Sequence, residues 1–268
     1  MEKFLENLND ELTITGIILS GGAGTRMGLF TQRVANKHLM PIYDKLMIEF
    51  PIHTLVNSGI TTISIVTGNR YSGQFVDVLG NGKEWGIRQL SYAYQFGEGG
   101  IADALCCAKP NIPPGSNIAV CLGDNIFEQS FKKEINDFCI ETKTQKSLCH
   151  LFLKKVVDPN RFGVACFDDN EFTSIIEKPP TGFHPDGLRI SDLAVTGLYL
   201  YTYDVFDYIE KLKPSGRGEL EVTDLNNFYL KNGNCKFTIL DTFWHDAGTP
   251  DSLLICSEWC KNKARGYK

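Results

Sequence analysis

Residues Gly21-Gly22-Ala23-Gly24-Thr25-Arg26 follow directly on the apolar run Ile14–Ser20. Consecutive glycines let backbone N–H groups converge on one anion, and a strand-to-helix position adds a helix N-terminus at the same place. A phosphate-binding turn and a tight turn that merely needs positive φ both fit such a cluster. Two familiar phosphate motifs do not fit. The dinucleotide pattern G-x-G-x-x-G, started at Gly22, requires glycine where Met27 stands, and the Walker pattern requires Gly-Lys-Ser/Thr where Thr25-Arg26 stands. A Rossmann dehydrogenase and a P-loop NTPase are therefore disfavoured. Arg26 carries a permanent charge and can grip phosphate with two parallel hydrogen bonds.

Two carboxylates are placed for metal chemistry. Asp124 follows the apolar run Asn117 to Leu122 and a glycine, which puts it at a strand's carboxyl end, where open α/β sheets bind ligands. Asp246 lies in Trp244-His245-Asp246-Ala247-Gly248, just past the last expected strand. Such a pair suits Mg²⁺, which takes a few protein oxygens and leaves other positions to water and phosphate. Each residue equally suits a turn or helix cap. Asp44, in Tyr43-Asp44-Lys45, is expected to be structural. The nine cysteines show no paired framework. Cys149-His150 and Cys256/Cys260 are not completed by a second pair at zinc-finger spacing, so reduced, buried structural thiols are the expectation.

The elements that must position these groups alternate. Ile14–Ser20, Ile60 to Thr67 and Asn117 to Gly123 are continuous apolar runs, which suggest strands covered on both faces. Helical patterns lie between and after them: Met47 to Asn57, Ser72 to Leu79, Ile101 to Ala108 and Ser130 to Thr142. This implies βαβ units and a mainly parallel sheet. From about residue 147 the pattern changes to strands in quick succession: Ser147 to Lys155, Phe162 to Phe167, Phe172 to Glu177 and Ala194 to Tyr201. A Pro/Gly-rich loop, Pro179 to Gly187, interrupts them. Helices over Tyr203 to Leu212 and Glu219 to Lys231, a strand over Lys236 to Asp241 and a helix over Pro250 to Lys261 complete the pattern. The expected organisation is an extension over 1–13 and one α/β domain over 14–268: 14–146, a strand-rich lobe over 147–245, and a C-terminal helical segment over 246–268.

The 268 residues are 43% hydrophobic and 22% charged, with a formal charge of −5. That excludes disorder and gives no general attraction to nucleic acid or an anionic membrane. No 18-residue apolar window exists, and residues 1–12 resemble neither a signal nor a transit peptide, so a cytoplasmic protein is expected.

The Gly-Gly-x-Gly-Thr-Arg signature opens a series of ten co-linear blocks: GIILSGGAGTR, NKHLMPIYDKLM, LGNGKEWG, YQFGEGGIADAL, LGDN, DPNRFGV, IIEKPP, AVTGLYLY, GRGELEVTDLN and WHDAGTPDSLL. In these the chain resembles the sugar-1-phosphate nucleotidyltransferases, most of all glucose-1-phosphate thymidylyltransferases. The resemblance implies a Rossmann-like, GT-A-like domain whose second lobe binds sugar. The implied reaction is attack by a sugar 1-phosphate, most simply glucose 1-phosphate, on the α-phosphorus of dTTP with release of pyrophosphate. It implies catalytic roles for Arg26, Lys37 and Asp124, and Mg²⁺ on Asp124 and Asp246. Gly21, Gly22, Gly24 and Thr25 would hold the nucleotide phosphates, and Gln95 and Gly100 would read the base. Gly163, Glu177, Lys178, Thr196 and Arg217 would bind the sugar phosphate.

The chain departs from the pattern at Met27-Gly28, at His38 in place of a glutamine, at Phe162 in place of tyrosine, and at His245. UTP or CTP donors, another sugar 1-phosphate, and a non-catalytic nucleotide-sugar-binding regulator are the alternatives. The expected form is the short one without regulatory C-terminal helices, with dimer versus monomer left open.

Overall fold

Ile14–Ser20 is buried at every position and forms β1, as an unbroken apolar run requires of a strand covered on both faces. The computed structural model describes residues 14–22, 24–68, 71–180 and 190–266. The extension over 1–13, Ala23 and positions 181–189 of the Pro/Gly-rich loop lie outside the described residues. After β1 come a 3-10 turn (Thr25–Met27), α1 (Leu29–Arg33) and a small hairpin, β2 (Pro41–Ile42) with β3 (Lys45–Leu46). Alternation follows through α2 (Glu49–Asn57), β4 (Thr62–Gly68), α3 (Ser72–Leu79), β5 (Gln89–Gln95), α4 (Ile101–Cys107), β6 (Asn117–Leu122), β7 (Asn125–Phe127) and α5 (Lys132–Glu141). The strand-rich part holds β8 (Cys149–Lys155), β9 (Gly163–Asp168), β10 (Glu171–Glu177) and β11 (Ile190–Tyr201). Last come α6 (Val205–Ile209), α7 (Val222–Lys231), β12 (Cys235–Leu240), β13 (Trp244–Asp246) and α8 (Pro250–Ala264).

One mixed sheet spans both parts of the chain in the order β10-β9-β11-β6-β1-β4-β5, with β8 on β11 and β12 on β8. The β6-β1-β4-β5 core is parallel, and β11 meets β6, β8 and β9 antiparallel. Odd and even residues of β1 feed two cores. Ile18 packs with Ile52, Leu55, Phe75 and Phe138 under α2, α3 and α5. Ile17 and Leu19 pack with Leu105, Phe206, Leu225 and Tyr229 under α4, α6 and α7. A third, smaller cluster seats Cys256 and Cys260 of α8 on Ile42, Met47 and Ile126, and all nine cysteines are free thiols. Among the described residues, no helix is long and apolar enough to cross a membrane.

The strand that shapes the site is β11. Leu198–Tyr201 runs beside β6, whereas Ile190 and Ala194 pair with β9, and the register with β8 shifts between Val195 and Tyr199. At the departure point the Gly197 N–H donates to Asn125 Oδ1 at 2.9 Å. A Cβ on Gly197 would lie 2.6 Å from the Asn125 side chain, so only glycine lets the two come this close. The chain thereby peels away from β6 and opens a cleft between the carboxyl ends of the parallel strands and the β9–β10 pair.

Several expectations are corrected. The helix expected over Tyr203 to Leu212 shortens to α6, and α7 begins at Val222 rather than Glu219. Upstream of α7, Glu219 O accepts from Ser215 N, Leu220 N donates to Gly99 O, and Leu220 O accepts from Ala102 N, which holds the segment out of the helix. Gln95 ends β5, and Asp246 lies within β13 instead of beyond the last strand. The expected parallel core and strand-rich lobe are both present, the lobe pairing antiparallel at the edge of the sheet.

Lys37 is presented by a short 3-10 turn, Lys37–Leu39, capped by Asn36. Asn36 Oδ1 accepts from the His38 backbone N–H at 3.0 Å and faces His38 Nδ1 at 2.7 Å, while Asn36 Nδ2 donates to Ser20 O. His38 therefore anchors the turn under the end of β1. Burial, reinforced by the neighbouring Lys37 charge, lowers its pKa from 6.5 to about 3. The folded protein thus binds fewer protons than the unfolded chain between those values, and stability falls as pH drops through that window. His38 is expected to cost about 2 kcal/mol of stability between pH 7 and pH 5. Urea denaturation at the two pH values should show a smaller loss for His38→Gln; equal losses in parent and variant would refute the assignment.

Candidate active site

A cleft of about 700 Å³ lies at the carboxyl ends of β1, β5 and β6. On its first wall, Gly21, Gly22, Thr25 and Arg26 form the turn after β1. A Cβ on Gly21 would stand 2.7 Å from Gln95 Oε1, so glycine lets the turn and the end of β5 approach. Gly24, at φ +66°, turns the chain into the 3-10 segment behind this wall. Gln95 is 5% exposed, and its Nε2 donates to Gly100 O at 3.1 Å and to Asp103 Oδ2 at 2.8 Å.

The floor is a charged chain. Lys37 Nζ donates to Asp124 Oδ2 at 2.6 Å, and Asn125 Nδ2 donates to Asp124 Oδ1 at 3.0 Å. Burial alone would raise the Asp124 carboxyl, but the Lys37 charge and these hydrogen bonds hold it well below the usual carboxylate range. Asp246 stands opposite Asn125 in the β13–β7 pair, and Ala247 N donates to Asp124 O, so backbone pairing brings both aspartates to the lining of the same cleft. Asp246 Oδ1 accepts from Arg161 Nη2 at 3.3 Å and from Ser252 Oγ at 3.4 Å. Arg26 comes to the same place. A Cβ on Gly248 would lie 3.3 Å from Asp124 Oδ2 and 3.4 Å from Arg26 Nη2.

The opposite wall comes from the β9–β10 pair and the segment before α7. Gly163 faces Glu177 across the two strands, and Glu177 Oε2 accepts from Thr223 Oγ at 2.7 Å. Lys178 Nζ lies 3.2 Å from Glu177 Oε1. Arg217 grips Glu221 through three contacts of 2.9 to 3.2 Å, with Glu219 at 3.7 Å and Glu177 at 3.9 Å. This wall thus offers a cationic pair on an acidic, hydrogen-bonding base.

The fold brings all but two of the residues expected at the site into this one cleft. Gly24 sits behind the turn. Thr196 is fully buried, because the pleat of β11 presents Val195, Gly197 and Tyr199 instead, and among the described residues its hydroxyl has no partner. His245 faces away from the cleft, its Nδ1 2.9 Å from Asp246 O, and Asp44 is exposed in the β2–β3 turn. Sequence reasoning missed Asn125, Asp103, Arg161 and Trp244. Asn125 stood in the quoted LGDN block and Asp103 in IADAL, but only tertiary contacts give them roles.

Among the described residues, no group of three or more His, Cys, Asp or Glu forms a metal cage. The available set is the Asp124–Asp246 pair, two hard carboxylate donors at strand ends in a cleft that is also lined by Arg26 and Lys37. That chemistry fits a magnesium-class ion, which keeps water and phosphate among its ligands.

The nucleotidyl transferase family profile matches residues 15–262. A glucose-1-phosphate thymidylyltransferase of Neisseria gonorrhoeae is 41% identical over 241 residues, 89% of this chain and 79% of its own length. The Mycolicibacterium smegmatis enzyme of the same name is 37% identical over 92% of this chain and 82% of its length. Among solved structures, a Bacillus anthracis protein assigned as a glucose-1-phosphate thymidylyltransferase, in complex with a sucrose, superposes with TM-score 0.83 at 39% identity, covering 93% of this chain and 96% of that one. A UDP-glucose pyrophosphorylase complexed with UDP-glucose shares the fold at TM-score 0.75 and 20% identity, over 93% and 98% of the two chains. A cleft with a glycine turn, a lysine-bound carboxylate and a cationic far wall, on a chain matched over nearly its whole length, places this protein in the nucleotidyl transferase family.

Proposed function

We propose that the protein transfers a thymidylyl group from dTTP to glucose 1-phosphate, releasing pyrophosphate and forming a nucleotide-diphosphate sugar in the cytoplasm. One observation carries this reading: a wall bearing Arg26 and an opposite wall bearing Lys178 with Arg217 face one cleft floored by Lys37 and ionised Asp124. A reaction between two phosphates needs such paired neutralisation and alignment. The thymidylyl donor and the glucosyl acceptor follow the names of the relatives.

In this reading the Gly21-Gly22 backbone and Thr25 hold the triphosphate, and Arg26 neutralises the departing pyrophosphate. Lys37 lies between the walls and aligns the attacking sugar phosphate with the α-phosphorus. Gln95 and Gly100 contact the base, while Glu177 accepts sugar hydroxyls and Lys178 and Arg217 hold the sugar phosphate. The attacking phosphate oxygen is already ionised, so no side chain has to act as nucleophile or strong base. Asp124 and Asp246 would hold Mg²⁺, which when bound supplies positive charge to the α-phosphate and leaving group.

Pyrophosphate release over a matrix of nucleoside triphosphates and sugar 1-phosphates with Mg²⁺ is expected to be greatest for dTTP with glucose 1-phosphate. Silence in every combination would replace the enzyme reading with a non-catalytic nucleotide-sugar binder. Asp124→Asn and Asp246→Asn are each expected to lower kcat by about 100-fold or more with circular dichroism close to the parent, and Asp124→Asn, which leaves the Lys37 charge uncompensated, is expected also to melt lower. Near-parental turnover in both variants would remove these carboxylates from the metal site.

A further inference from the structure

Gln95 is held in a way that the transfer reaction alone does not require. Its side-chain amide closes the end of β5, and both hydrogens of Nε2 are engaged, one by Gly100 O at 3.1 Å and one by Asp103 Oδ2 at 2.8 Å. Both partners accept only. Rotating the amide by half a turn would set Oε1 against a carboxylate oxygen and a carbonyl oxygen, so this network admits one orientation. Oε1 is consequently left toward Gly21, where the missing Cβ leaves room beside the cleft. Among the described residues no donor meets Oε1, and both residues line the cleft.

We propose that Asp103 is a positioning residue that locks the Gln95 amide with its carbonyl oxygen toward the nucleobase, so that the site selects a base carrying an imide N–H. The inference rests on the reading that the base lies against Gln95. An acceptor at this position meets the N3–H of thymine or uracil. Cytosine presents a bare N3 acceptor at the same edge, and two acceptors facing each other leave a desolvated mismatch. Selection by a buried polar group of fixed orientation is strong because the wrong base leaves that group unpaired. Without Asp103, the orientation would depend on Gly100 O alone, and the flipped amide would offer Nε2 to cytosine.

The test compares kcat/KM for dTTP and dCTP with glucose 1-phosphate, and binding of dTDP and dCDP by calorimetry, in the parent, Asp103→Ala and Asp103→Asn. Alanine is the best helix former and sits within α4, so Asp103→Ala is expected to fold. Asp103→Ala should reduce the dTTP:dCTP ratio about tenfold or more, with a parallel drop in the dTDP:dCDP affinity ratio. Asp103→Asn keeps an acceptor for Gln95 Nε2 and should retain the parental ratios, a rescue that general loosening of the helix would not give. If Asp103→Ala melts more than about 10 °C below the parent, Asp103→Ser, with a small hydroxyl too short to fix the amide, takes its place with the same expectation. Unchanged ratios in a folded variant, with an active parent, would overturn the role of Asp103. A parent that neither binds nor turns over any pyrimidine nucleotide would overturn the functional reading and this inference together, and the two failures are told apart by the parent alone.

Discussion

The side-chain amide of Asn125 is the joint on which the site depends. Its Oδ1 accepts from Gly197 N at 2.9 Å and from Trp244 Nε1 at 2.7 Å, and its Nδ2 donates to Asp124. One buried amide therefore fixes where β11 leaves the central sheet, where β13 docks, and which way Asp124 points. A buried polar network of this kind is costly when any partner is lost, so its members hold one another in a single arrangement. The Lys37–Asp124 ion pair is built on this joint. It lies in a place where neither charge is well hydrated, which is why the pairing overrides the effect of burial on the carboxyl group.

The local balance of charge explains how an acidic protein handles phosphates. With a formal charge of −5, the chain has no long-range attraction for polyanions. Yet Arg26, Lys37, Arg161, Lys178 and Arg217 all line one cleft, each of the last four against at least one carboxylate. Such pairs keep flexible cations in place, and a bound phosphate exchanges one anionic partner for another. The same pairing limits the pull on stray anions, because the cations are largely neutralised until a ligand of the right shape enters.

Much of this was legible in the sequence. Ile14–Ser20 and Ser72–Leu79 are bounded as the apolar runs and turn residues imply, and the glycine turn sits at the strand end that its neighbours indicated. The parts that were not legible share a cause. β7 and β13 are three-residue strands, too short for any periodicity, and they form only because each has the other as partner. Thr196 and Gly197 differ by one position, and the pleat of β11 decides which of them reaches the cleft. Asn125 and Asp103 look like ordinary turn and helix residues until tertiary contacts place Gly197, Trp244 and Gln95 beside them. Periodicity reports which side of an element is covered; it does not report what covers it.

The path of β11 has a further consequence for how the protein is made. During synthesis, β1, β4, β5 and β6 emerge as a parallel sheet whose β6 edge is unpaired, and the strand that covers that edge lies beyond β8, β9 and β10 in the chain. An apolar edge left open for that interval is a template for pairing with other chains. Because β11 meets β9 through Ile190 and Ala194 and then closes that edge with Leu198–Tyr201, the ribosome must deliver this one strand before the two sides of the cleft can be joined. The two sides of the cleft therefore stay unconnected until late in synthesis, after most of the sheet has already emerged.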